Sequence, residues 1–149
     1  MTDTARVLLT AGVLSLVTAG VFARRLRQID ASEPGRLVGE LRLAQWAAIL
    51  LAALGGAPIG FAVAGAGQPL AHLDLTCGLA FGVLAGVILH REPSQGLLLA
   101  AGGFTVHALL NLAHRPGWLS PLMMPLWYTT ASATYDVCMA AVCFWAARR

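Results

Sequence analysis

Residues 7–25 read VLLTAGVLSLVTAGVFARR, a run free of charge that ends abruptly in two arginines. A membrane-spanning helix takes about 17–25 predominantly apolar residues, and the uncharged part, 7–23, meets that length. A cleaved secretion signal carries its positive charge ahead of the apolar stretch. Here Arg24, Arg25 and Arg27 follow it. The order therefore predicts a retained helix that stops at a lipid boundary.

The rest of the chain agrees. Of its 149 residues, 58% are hydrophobic and 11% charged, with a mean hydropathy of +0.72. Soluble domains carry about 25% charged residues, so this surface has to face something other than water. Four more apolar stretches follow, at 43–67, 70–89, 96–114 and 126–147. The second contains Gly55, Gly56 and Pro58, breakers that a membrane helix tolerates when neighbours satisfy its backbone. The fourth is the least apolar because of its histidines and asparagine. The expected fold is all-α: one domain, 1–149, forming an integral membrane bundle of five transmembrane helices. Ser32, Pro34 and Gly35 mark a turn before the second helix, which can begin before it enters lipid.

All ten basic residues are arginine, against seven acidic residues, for a formal charge of +3. Five spans place Arg24, Arg25, Arg27, Arg36, Arg42, Arg91, Arg148 and Arg149 on one side, with Arg6 and Arg115 on the other. The positive-inside rule then predicts an outside N-terminus and a cytoplasmic C-terminus in a bacterial inner membrane. The arginines form no stripe with interleaved aromatics, which argues against nucleic acid as a partner. Cys77, Cys138 and Cys143 are odd in number and sit in apolar runs. They read as small packing residues rather than a disulfide framework.

Against this background the segment TVHALLNLAHRPG, residues 105–117, stands out. His107, Asn111 and His114 are four and three residues apart and so share one helix face. The alternating directions of the spans put Asp74, Asn111 and His114 near the outer surface. They bring Asp136 to the level of His107, roughly 10 Å deeper at ~1.5 Å per residue. Glycines recur every four residues after Asp74, at Gly78, Gly82 and Gly86, and Thr129, Ser132, Asp136, Ala140 and Cys143 share a face of the last helix. Small residues at such spacing let helices approach closely. Helices three, four and five are therefore expected to pack together around an outward-facing polar pocket, with helices one and two as buttresses.

An intramembrane carboxylate costs at least ~2.5–3.5 kcal/mol on insertion scales and marks a functional candidate. A histidine held by a carboxylate suits general acid–base work. The expected catalytic residues are His107, which transfers the proton, and Asp136, its partner. Asp74, Asn111 and His114 are expected to bind substrate or to supply a second acid–base group. A structural Asp–His pair is the competing reading. Metal binding is a competing use, but His107 and His114 lie too far apart on one helix to share an ion. A metal would need His114 with Asp74 or His107 with Asp136; the HExxH spacing is absent and no metal ligand is assigned. Haem between His72 and His114 ranks lowest, since no cysteine attachment motif accompanies it. The sequence names no cofactor.

From Phe61 onward the chain resembles a family of small polytopic membrane proteins of bacteria and fungi, known only as a domain of unknown function. The likeness rests on an acidic residue opening one helix (Asp74, in AHLDLTCGLAFGV) and on the pattern H-x3-[D/N]-x2-H at His107, Asn111 and His114. A loop with Pro116, Pro121 and Pro125 follows, and then TTASATYDVCMAAVCFW. The chain departs from the pattern with Asp74 in place of Glu, Asn111 in place of Asp, and His114–Arg115 in place of paired histidines. The lost carboxylate and histidine weaken any shared metal site. The resemblance implies the same polar constellation and names no reaction. The expected function is an integral membrane enzyme doing acid–base chemistry on a lipophilic small molecule. The alternative is an accessory subunit of a larger membrane complex or oligomer, or a small transporter or ligand-binding protein.

Overall fold

A computed structural model of the chain describes residues 2–64, 72–113 and 126–148. Within them there are five helices and no strand: α1 (Asp3–Arg27), α2 (Pro34–Ala64), α3 (His72–Leu89), α4 (Pro93–Ala113) and α5 (Leu126–Ala147). The all-α class and the five helical segments agree with the sequence reading. Three helices are long and apolar enough to cross a membrane: α1, α2 over Pro34–Gly60, and α4. The apolar part of α3, Leu75–Leu89, is shorter. Large apolar side chains point outward from every helix, among them Val13, Leu14, Trp46, Ile49, Val83, Leu109 and Val137. A water-soluble monomer rarely exposes so continuous an apolar surface.

Local chemistry sets the helix ends. The Thr2 hydroxyl accepts from the Ala5 N–H at 3.3 Å and caps α1, taking up one of the free amides of the first turn. Asp3 lies in the first turn and Arg24, Arg25 and Arg27 in the last, each sign opposite to that end of the helix dipole. The turn after α1 is held by Asp30, whose carboxylate accepts from the Ser32 N–H at 2.9 Å and the Ser32 hydroxyl at 2.7 Å. Those two bonds hold its carboxyl below the usual carboxylate range. Pro34 opens α2, a position where its missing N–H costs nothing.

Helix α2 begins well before the apolar stretch predicted at 43–67, and the extra turns bury an ion pair. Arg36 Nε lies 3.0 Å from Glu40 Oε1, with both side chains buried. Arg36 Nη1 also donates to the Ile29 carbonyl at 3.4 Å, tying the turn to the helix. The stripe continues through Ala44, Ala47, Ala48 and Leu51, all buried and related by three- and four-residue steps.

This stripe places α2 at the centre of the bundle, against both α3 and α4, rather than at its margin as a buttress. Helix α4 packs most extensively on α5, and α1 lies mainly on α5, where Ser15 and Tyr135 share a hydrogen bond of 2.7 Å. The expected mutual packing of α3, α4 and α5 holds for α4 with α5 and in part for α3 with α4. Among the described residues α3 and α5 make no close approach. The reason lies in the glycines. A Cβ on Gly78 would sit 2.8 Å from the Gly55 carbonyl oxygen, and one on Gly55 would sit 2.5 Å from Phe81 Cβ. Gly78 therefore seats α3 on α2, while a Cβ on Gly82 or Gly86 would meet nothing within 4 Å.

The α2–α3 contact yields a matched test. Gly55→Ala should lower stability by about 1–3 kcal/mol through overpacking. The adjacent Gly56→Ala, whose new Cβ meets nothing within 4 Å, should be neutral or stabilising by up to about 1 kcal/mol. Thermal unfolding of the two variants in the same detergent measures the difference.

Candidate functional site

Helix α4 buries one face: Gly96, Leu97, Ala100, Gly103, Phe104, His107 and Asn111 among others. Helix α5 answers with Thr129, Ser132, Ala133, Asp136, Met139 and Cys143. Both sets recur at three- and four-residue intervals, so the two faces run along each other. The half of this seam toward the start of α4 is apolar and alanine-rich. Its polar groups collect toward the end where α4 finishes and α5 begins.

There, His107 Nδ1 lies 2.7 Å from Asp136 Oδ2. Asp136 is completely buried, and His107 is 6% exposed. A second polar group backs the pair. Asn111 Nδ2 donates to Ser132 Oγ at 3.2 Å and to Asp136 Oδ2 at 3.3 Å. Its amide nitrogen is also 3.3 Å from His107 Nδ1. With Asp136 ionised, its carboxylate only accepts, and His107 then carries its proton on Nδ1 and donates it to Asp136. The Asn111 amide spends its two protons on Ser132 and Asp136. This fixes the tautomer and makes Nε2 the acceptor nitrogen of the ring.

The third wall comes from α3. The Phe81 ring meets the His107 ring edge-on, with centroids 5.0 Å apart and planes at 88°. Apolar packing on one side and a carboxylate on the other restrict the imidazole to one orientation. Asp136 Oδ1, also buried, has no hydrogen-bond partner among the described residues. A buried unsatisfied oxygen is uncommon in folded proteins and calls for a reason, a role in binding or catalysis being one.

Of the five expected site residues, His107, Asp136 and Asn111 come together. His114 lies outside the described residues. Asp74 belongs to the first turn of α3, and its side chain lies outside the described residues, as does that of His72. His90, read as a solvated helix end, is exposed and donates from Nδ1 to the Gly86 carbonyl at 2.8 Å. Among the described residues no three His, Cys, Asp or Glu side chains converge as a metal site would require.

Comparison with known protein families, curated proteins and solved structures gave no match to this chain. Its site has to be read from its own geometry.

Two residues of the site were not expected as such. Ser132 was placed on the right face of the last helix without a role, and it now accepts from Asn111. Phe81 gave no signal at all, because its contact with His107 depends on how α3 sits against α4. The tilt of one helix on another is not written in the spacing of either.

The energetics of the pair can be separated from its chemistry. Asp136→Leu leaves the His107 and Asn111 donors buried without their acceptor and should cost about 3–5 kcal/mol. His107→Leu combined with Asp136→Leu removes both partners and should recover a large part of that loss. A double-mutant cycle read by thermal unfolding in detergent checks this. Additive losses would mean that the two side chains do not depend on each other.

Proposed function

We propose that this is a multi-pass protein of the bacterial inner membrane whose buried His107 exchanges a proton with a lipophilic small molecule. All five helices span the bilayer in this reading, with the N-terminus outside and the C-terminus in the cytoplasm. The spans missing from the strict length-and-hydropathy set are α3, which is short, and α5, whose Thr129, Thr130, Ser132, Thr134 and Asp136 lower its hydropathy. Both are bound to helices that meet it. The orientation rests on arginine placement: the α1–α2 turn, the start of α2, the α3–α4 turn and the C-terminal end gather eight of the ten. We place the chain beside the small polytopic family that shares its H-x3-[D/N]-x2-H helix.

The observation that carries the proposal is the 2.7 Å contact between His107 Nδ1 and Asp136 Oδ2 inside the α4–α5 seam. A carboxylate in that position holds the imidazole in one tautomer and stabilises the imidazolium that forms when Nε2 takes a proton. The proton moves from a weakly acidic C–H, O–H or N–H of the ligand to Nε2 and later returns to the altered ligand. General acid–base assistance of this kind is worth about 10²–10⁴-fold in rate. Asn111 and Ser132 keep the carboxylate in register. Asp74 and His114 are proposed to meet the polar part of the ligand at the outer surface.

A second reading has its own support. The complete burial of Asp136 and its bonds to two residues of α4 also describe a clamp between two helices. Such a clamp would serve an accessory subunit of a larger membrane complex equally well.

A trapping comparison separates the two. Protein is purified from its native membrane as wild type and as His107→Gln, and the bound lipophiles are extracted and identified by mass spectrometry. Proton-transfer chemistry predicts one compound enriched in the variant and converted, by a change of bond position or of protonated group, in the wild type. Identical extracts, together with loss of a co-purifying protein in Asp136→Leu, would support the clamp and defeat the enzyme.

A further inference from the structure

An apolar groove of about 390 Å³ runs along the outer side of α3 and α4. Cys77, Phe81 and Leu84 line it from α3, and Leu98, Gly102 and Leu110 from α4. The size lies within the ordinary range for small-molecule sites, about 300–1,000 Å³. Every side chain named in its lining is apolar or a thiol. Three features say what it holds.

The first is length. Leu98 and Leu110 are twelve residues apart on one helix, about 18 Å at ~1.5 Å per residue. That is long enough for one extended hydrocarbon chain, lying along the middle of α4 (Pro93–Ala113). The second is direction. Its Leu110 end lies beside Asn111, at the polar end of the α4–α5 seam, and its Leu98 end lies beside Leu97 and Leu99, about one turn past Gln95. A molecule lying in it would be polar at one end and hydrocarbon along the rest. The third is continuity with the site. Phe81 lines the groove and also meets the His107 ring at 5.0 Å, so one aromatic side chain is the partition between the two.

We propose that the α3–α4 groove seats a hydrocarbon chain of a membrane amphiphile whose polar end lies toward the end of α4, with Phe81 dividing that chain from His107. The proposal rests on the acid–base reading above and specifies its substrate class: a molecule with an extended chain, whose polar end reaches the level of His107 and Asn111. Gly102 gives the groove its depth. A Cβ there would meet nothing within 4 Å, so a side chain added there starts into open space. Gly82 is equally open and does not line the groove, which makes it the matched control.

The test uses the full chain reconstituted in phosphatidylethanolamine–phosphatidylglycerol vesicles containing a phospholipid with a diazirine midway along one acyl chain. After illumination, cross-linked peptides are mapped by mass spectrometry. Wild-type adducts should concentrate on 77–84 and 98–110. Gly102→Leu should reduce them about tenfold, a tenfold change in occupancy for that lipid, and Gly82→Leu should leave them unchanged. Even labelling of all lipid-facing residues in the wild type overturns the proposal without any variant, as does Gly102→Leu labelling like the wild type. Asp136→Asn is mapped in parallel. Groove labelling kept in that variant shows a seat that does not depend on the proton-transfer pair, so failure of the chemistry and failure of the seat are told apart.

Discussion

The hydrogen bond between His107 and Asp136 is the constraint around which the α4–α5 half of the molecule is arranged. A carboxylate without solvent is costly, and Asp136 is fully buried. Its presence therefore dictates the neighbours: an imidazole at 2.7 Å, an amide at 3.3 Å, and a serine hydroxyl that takes up the amide's other proton. These groups come from two helices, so the bond also sets how α4 lies along α5. Much of the remaining seam is alanine, glycine and cysteine, which lets the backbones come close enough for short polar side chains to meet.

Helix α2 supplies the other half of the architecture. Its stripe of small residues brings α4 in, and its Gly55 accepts α3 so closely that a single methyl group on either side would collide. Through α3 this contact reaches the site, since it fixes where Phe81 stands against His107. A helix that contributes no residue to the polar cluster thus positions one of its walls. The same placement leaves α3 and α4 splayed enough on their outer side to form the groove between them.

Much of this was legible in the sequence, and the parts that were not share a cause. The five helices followed from runs of apolar residues. The meeting of His107 with Asp136 followed from counting residues along alternating helices, because both lie at a similar distance from the same end. The face shared by His107 and Asn111 followed from their four-residue spacing. The neighbours of α3 did not follow. Gly55 and Gly56 read as helix breakers, yet Gly55 is a contact and Gly56 is open space. Nothing in their identity separates the two, since each depends on the rotation of α2. Arg36 and Glu40 were hidden for a related reason. Their spacing is that of an exposed ion pair, and only the packing of the first turns of α2 shows that they are buried.

The central claim concerns the location of one proton, and nitrogen-15 NMR of histidine-labelled protein in lipid measures it directly, with the His107 signals assigned by their loss in His107→Gln. The proposed pair predicts that the neutral imidazole is held in a single tautomer, with Nδ1 protonated and hydrogen-bonded to Asp136 and Nε2 bare. It also predicts that Asp136→Asn moves the proton to Nε2, because the amide can donate to Nδ1. Signals averaging between tautomers as in a free imidazole, and unaltered in Asp136→Asn, would contradict it.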